Sequence, residues 1–326
     1  MQYSETSGTK MTLNTGKTNF VNKKFTNFVS GSVNGKITLG ESVDGSYFDF
    51  ISEISGTLTV YISLNASKGF YVVDKGLNLV DYSYNLPIKA GNASQTFTTN
   101  DKGESILAAK SYGSVTFNMK PGESYKVLCT GSKLGFFGFD FIASLTTAAS
   151  GFSTLSMPFA VDYKSLGLTA YAIGLDESAM KVTYKEIDGI VPANTPVLVK
   201  GEASKTYSLT KATGDVAEVT TSLQVSDGKV VTEGGHYYAF STVDGKSGFK
   251  KLADGITIPA KKGYLKLATA NAKGFFAFDD ETTGIKGIVN GTIEEEETPL
   301  YNLAGQRVSK DYKGVIVKNG KKFFNK

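Results

Sequence analysis

Residues 57–64 alternate without exception: Leu58, Val60, Ile62 and Leu64 fall on one side, and Thr57, Thr59, Tyr61 and Ser63 on the other. A period of two sends successive side chains to opposite faces, so this stretch is a β-strand with one face in a core. The pattern returns in 114–120, with Val115, Phe117 and Met119 inward. After a turn at Pro121-Gly122 it appears again in Tyr125, Val127 and Cys129. Ser, Thr and Asn crowd the gaps between such runs, and Gly (36) far outnumbers Pro (7). Many short strands separated by turns define an all-β chain built as sandwiches or barrels. Helix signals are confined to two short stretches, 101–110 and 176–180.

Composition sets the outer limits. A length of 326 residues suits two domains with an appendage. With 40% hydrophobic and 12% aromatic residues, the chain can fill real cores, which excludes global disorder. No apolar run approaches the roughly 18–20 residues of a membrane helix, so no transmembrane segment is expected. Cys129 is the single cysteine, which rules out an internal disulfide and a cysteine-rich metal site. Its place on an apolar strand face makes it a small core residue rather than a nucleophile. Tryptophan is absent, and His236 is the single histidine.

The net charge of +4 is unevenly placed. Residues 298–326 hold seven Lys or Arg and one Asp, a net +6, so the remainder carries −2 by subtraction. Arg307 is the one arginine. Phosphate and base-edge recognition lean on arginine forks, so a nucleic-acid reader is not expected.

Two internal echoes organise the chain. Gly135-Phe136-Phe137-Gly138-Phe139-Asp140 returns as Gly274-Phe275-Phe276-Ala277-Phe278-Asp279, and each reads as a strand closing a domain. Val191-Pro192-Ala193 followed by Val197-Leu198-Val199 returns as Ile258-Pro259-Ala260 followed by Tyr264-Leu265-Lys266-Leu267, which suggests two related β-units within one domain. The expected division is a jelly-roll-like sandwich over 1–145, a second β-sandwich-like module over 151–281, and a linker with a short β tail over 282–326. In that tail, the acidic run Glu294 to Glu297 reads as a solvated spacer. Two or three strands follow, split by an Ala-Gly-Gln turn and an Asn-Gly hairpin turn.

The tail carries a resemblance. Thr283-Gly284-Ile285, Tyr301-Asn302-Leu303-Ala304-Gly305-Gln306-Arg307-Val308, and Lys313-Gly314-Val315-Ile316-Val317 with Asn319-Gly320-Lys321-Lys322 look like a C-terminal sorting domain of the Por (type IX) secretion kind. The resemblance implies passage through the outer membrane, engagement of the secretion machinery by the tail, and a secreted or cell-surface location. More loosely, Gly56-Thr57-Leu58-Thr59-Val60 with Thr130-Gly131-Ser132-Lys133-Leu134-Gly135-Phe136-Phe137-Gly138-Phe139 resembles the non-catalytic jelly-roll modules appended to polysaccharide-degrading enzymes. Val191-Pro192-Ala193-Asn194-Thr195 before Val197-Leu198-Val199-Lys200-Gly201 is similar to the β-rich module that often precedes such a tail. Residues 1–20 are polar, with no apolar core of a signal peptide. The expectation is therefore a piece of a longer exported protein.

Chemistry points the same way. There is no Gly-x-Ser-x-Gly elbow, phosphate loop or His-Glu-x-x-His motif. His236 lacks an identifiable nucleophile and orienting carboxylate, and reads as a histidine at a strand start. Many acids sit in turns: Asp44-Gly45, Asp227-Gly228, Asp244-Gly245 and Asp254-Gly255. An enzyme is not expected, although a pair of carboxylates acting on a glycoside stays as one alternative. The favoured function is polysaccharide binding by the first domain, with Tyr82, Tyr84 and Tyr112 as the aromatic platform. Flat rings offer contact area at small entropic cost. Tyr61 projects from the outer face of its strand and could join such a surface. The other alternative is a structural spacer or adhesin stalk. No cofactor is expected; Asp140 is the residue to inspect for a structural calcium ion.

Overall fold

The computed structural model describes residues 2–5, 11–20, 23–89, 91–270, 273–278, 300–302, 307–308, 314–318 and 321–325, with side chains for Phe25 and for those from Asn27 to Phe278. Asp279, the linker with Glu294 to Glu297, and the turns at 303–306 and 319–320 lie outside them. Residues 1–283 form one compact unit and 284–326 another.

The first half of the large unit is a sandwich of two antiparallel sheets. Its eight main strands are β1 (Lys23–Gly31), β2 (Tyr47–Ile51), β3 (Gly56–Leu64), β4 (Gly69–Val73), β5 (Ser105–Ile106), β6 (Ser111–Met119), β7 (Ser124–Thr130) and β8 (Gly135–Thr146). One sheet runs β2-β7-β4-β5 and the other β1-β8-β3-β6, with the ten-residue strand Met11–Phe20 beside β1 and short strands at the other edges. Successive strands cross between the sheets everywhere except from β4 to β5, which gives the jelly-roll order. The alternation in β3 and β6 is realised as expected: Leu58, Val60, Ile62, Leu64, Val115, Phe117 and Met119 face inward, against Phe48, Phe50, Phe70, Val72, Tyr125, Val127 and Cys129 of the opposite sheet. Each fully buried large apolar side chain contributes roughly 1.5–3 kcal/mol. A hairpin of Lys36–Thr38 and Ser42–Asp44 lies over the back of the β2-β7-β4 sheet, where Ile37 and Val43 pack on Tyr71, Val73 and Leu128.

Neither short stretch expected as helix is one. Asn100 accepts from the backbone N–H groups of Lys102 and Glu104, and its side chain thereby holds a turn that leads into β5. Asp176 accepts from the N–H of Ala179 and the hydroxyl of Ser178, and Met180 takes a left-handed φ of 51°. This closes a β-hairpin instead of starting a helix. Among the described residues, the helical content is one 3-10 turn, Lys164–Leu166. The Asp-Gly pairs are turns as read, with φ of 73°, 88°, 76° and 80° at Gly45, Gly228, Gly245 and Gly255.

The second half contains one arrangement twice. β9 (Phe152–Leu155), β10 (Thr169–Asp176), β11 (Lys181–Glu186) and β12 (Val197–Lys200) pair in the order β9-β12-β10-β11. After β13 (Thr206–Leu209) come β14 (Gln224–Val225), β15 (Tyr237–Val243), β16 (Lys246–Lys251) and β17 (Gly263–Lys266), in the order β14-β17-β15-β16, with β18 (Phe275–Ala277) added outside β16. Smaller details repeat as well. Tyr171 lies opposite Leu198, as Tyr238 lies opposite Leu265. Asn194 and Lys261 take φ of 60° and 62° and donate from their N–H groups to the carbonyls of Met157 and Ser226. The two related β-units read from the Val-Pro-Ala and Ile-Pro-Ala echo are these sheets.

The two sheets meet through equivalent faces, with Phe152 against Phe240 and Tyr184 against Phe278. The back of the first packs on the sandwich: Leu155, Ala170, Val197 and Val199 share a core with Ala143 and Leu145 of β8 and Tyr207 and Leu209 of β13. The aromatic echo plays unequal parts. β8 is a twelve-residue interior strand between β1 and β3, whereas β18 is a three-residue strand at a sheet edge. In the small unit, Leu300–Asn302, Arg307–Val308, Gly314–Lys318 and Lys321–Asn325 form a four-stranded antiparallel sheet, one strand more than the tail reading allowed.

Because Leu58 lies at 0% exposure in a strand flanked by β8 and β6, Leu58→Ala should cost about 2–5 kcal/mol. The outward-facing neighbour substitution Thr59→Ala should cost less than about 1 kcal/mol. Urea unfolding of the two variants tests this difference.

Candidate functional site

The face of the β1-β8-β3-β6 sheet that points away from the core is built by the positions that period two leaves over. β3 supplies Thr57, Thr59, Tyr61 and Ser63, and β6 supplies Tyr112, Ser114, Thr116 and Asn118. Directly opposed pairs bond: the Thr59 and Thr116 hydroxyls lie 2.9 Å apart, and Thr57 donates to Asn118 Oδ1 at 3.0 Å. On β3 and β6 this end of the face is a ladder of hydroxyl and carboxamide groups, with Asp140 and the exposed Ile142 of β8 beside it.

The other end is aromatic, through a defect in the ladder. Between Phe136, opposite Ile62, and Gly138, opposite Tyr61, β8 holds one extra residue, a β-bulge. Gly138 takes φ of 142°, where a side chain is strained. Phe136 stays in the core against Phe48 and Phe50. Phe137 is delivered to the outer face, with its ring centre 5.0 Å from Phe28, 5.8 Å from Phe25 and 6.3 Å from Tyr112. Phe25 lies 5.2 Å from Tyr61. All five rings are half-buried. Lys110 Nζ stands 5.0 Å from the Tyr112 ring centre. At the junction of the two ends, the Tyr61 hydroxyl donates to Asp140 Oδ2 at 2.7 Å.

The three tyrosines singled out from sequence do not share a surface. Tyr84 sits opposite Val115, whose side chain points into the core, so Tyr84 faces inward too. Its hydroxyl accepts from the N–H of Phe97. Tyr82 packs edge-on against Phe70 and Phe97, at 5.6 Å and 6.0 Å, and burial raises its pKa. These two close the rim of the sandwich core, while Tyr112 lies on the outer face with Tyr61. Phe25 and Phe28 of β1 and Phe137 of β8 were missed, Phe137 because a bulge has no alternation signal. Its trace in the sequence is Gly138, which interrupts the aromatic run.

Asp140 is engaged by Tyr61, and among the described residues no group of three or more His, Cys, Asp and Glu is placed to hold a metal ion. His236 precedes β15 and bonds through Nδ1 to the carbonyl of Leu267 at 3.1 Å. Glu104 accepts from the Thr130 hydroxyl at 2.7 Å and from Asn100 Nδ2 at 2.6 Å, bonds that hold its carboxyl below the usual range against the opposing effect of burial. Burial, with Glu104 nearby, pushes the Tyr71 hydroxyl up to about 12. Burial likewise pushes the Cys129 thiol up to about 12.

No family model, curated protein or solved structure matches this chain.

Cys129 is neutral in the fold and able to ionise once unfolded. The folded state therefore gains from the neutral thiol below the unfolded pKa and loses that gain as pH rises from about 9 toward 12. A thiol reagent at pH 8 should leave the native chain unlabelled and react fully in urea. In Cys129→Ala, the alkaline fall in stability should be shallower than in the parent, as read by denaturant titrations between pH 8 and 10.5.

Proposed function

We propose that the chain is the non-catalytic part of an exported cell-surface protein, and that its jelly-roll half binds polysaccharide on the outer face of the β1-β8-β3-β6 sheet. The observation that carries this reading is the division of that face into five half-buried aromatic rings and a ladder of hydroxyl and carboxamide groups. Sugar rings present the same two chemistries. Their C–H faces pack on aromatic planes, and their hydroxyls exchange hydrogen bonds with side chains such as Thr57, Thr116 and Asn118. A face of this kind suits a polymer lying across several strands rather than a small molecule enclosed in a pocket.

Export rests on the tail. Its Tyr-Asn-Leu-Ala-Gly-Gln-Arg-Val and Gly-Val-Ile-Val-Lys stretches resemble a type IX sorting signal, which would address the chain to the secretion machinery and then to the cell surface or the medium. The basic character of 298–326, net +6, keeps that signal chemically distinct from the rest of the chain.

Affinity electrophoresis of the full chain in gels containing pectin, xylan or glucan tests the binding reading. One polymer class should retard the parent. Tyr112→Ala should weaken retention about tenfold, equivalent to about 1.4 kcal/mol, with an unchanged melting temperature. Tyr82→Ala should instead lower the melting temperature and leave retention per folded molecule intact. Equal retention of parent and Tyr112→Ala would remove this face as the site, and passage of the parent through every gel would leave a spacer.

A further inference from the structure

The two related sheets of the second half have kept one face and diverged on the other. In the first copy, the back of the sheet consists of Leu155 opposite Val197 and Ala170 opposite Val199, all buried against β8 and β13. The register assigns their counterparts in the second copy. Gln224 lies opposite Tyr264, and Tyr237 opposite Lys266. Four apolar side chains that attach one sheet to the sandwich are thus replaced by two tyrosines, a lysine and a glutamine.

Tyr237 and Tyr264 are buried with Ile258, and beside them, along Gln224, Tyr237 and Lys266, a cleft of about 650 Å³ opens, within the size range of small-ligand sites. Glu177, Gln224, Glu233, His236, Tyr237 and Lys266 line it. Their hydrogen-bonding roles follow from the partners already in place. A carbonyl can only accept, so His236 donates from Nδ1 to Leu267, and in the neutral ring Nε2 is left as an acceptor. Gln224 Oε1 receives the Tyr264 hydroxyl, which makes its NH₂ the donor side. Glu177 uses one carboxylate oxygen on the N–H of Ala268. Lys266 is a donor, with its pKa raised by a hydrogen bond to Tyr237. The lining therefore mixes donors (Lys266, Gln224) with acceptors (Glu177, Glu233, His236), as hydroxyl groups that both donate and accept require. Two carboxylates against one ammonium give the cleft a formal charge of −1, which opposes phosphates and uronates.

We propose that this cleft is a second ligand site, and that it takes an uncharged oligosaccharide. It lies on a different sheet from the outer face of the jelly roll and does not depend on the reading of that face. Its test exploits the single histidine of the chain, whose ring gives one resolvable set of NMR signals. Neutral oligosaccharides (cello-, xylo-, manno- and galacto-oligomers), trigalacturonate and inorganic phosphate are titrated into the full chain while the His236 ring signals are followed.

At least one neutral oligosaccharide should shift them saturably, and trigalacturonate and phosphate should not. Glu233→Ala should weaken that binding about fivefold, and Tyr112→Ala should leave the titration unchanged even where it abolishes polymer retention. The proposal is overturned if no neutral oligosaccharide moves the signals, if the anions move them as strongly, or if Tyr112→Ala removes the effect.

Discussion

The hydrogen-bond ladder along β8 is the constraint on which the rest of the large unit depends. Over most of its length this strand pairs with β3. On its other side it pairs with β1 at Gly135 and Phe136, then with β13 from Ala143 to Thr146. Its first residues close the jelly-roll core through Phe136, and its last ones begin the next core through Ala143 and Leu145. Ile54, just before β3, also belongs to that next core. One strand thus sets both the sandwich and the position of the sheets that follow, which is why 1–283 is a single compact unit. Ser144, Leu145 and Thr146, at the end expected for the first domain, are paired residues of this shared strand.

Much of the fold was legible wherever one side of a strand meets water. β3 and β6 could be read residue by residue because polar and apolar positions alternate, and the inward set is the observed core. The sheets of the second half carry a weaker signal. Val197, Leu198 and Val199 are all buried, since one face meets the sandwich and the other meets the second sheet. A strand covered on both sides loses its alternation. The duplication was visible through its Pro turns, while the matching Tyr-Ala-Ile and Tyr-Ala-Phe segments in β10 and β15 acquire meaning only with the register. Residues 101–110 and 176–180 hold turns rather than helices because Asn100 and Asp176 satisfy nearby backbone N–H groups themselves.

For the candidate site, the aromatic residues picked out from sequence are divided by the fold between two places. Tyr112 and Tyr61 belong to the outer face. Tyr82 and Tyr84, equally suggestive two residues apart, turn inward because Tyr84 sits beside Val115. The largest contribution to the aromatic end, Phe137, depends on one residue inserted into the ladder, and no pattern of types predicts which way an inserted side chain points. Gly138 allows the insertion, so a glycine without a side chain determines where an aromatic ring stands.

The sharing of β8 has a mechanical consequence. Antiparallel ladder bonds run perpendicular to the strands. A pull along β8, with the jelly roll held at one end and the β13 side loaded at the other, acts across those bonds rather than opening them one at a time. Resistance in that direction comes from many bonds strained together, as in a lap joint. A chain held at a surface by one part and by a polymer at another would carry tension along this strand, so the junction between its halves would be a tie rather than a hinge.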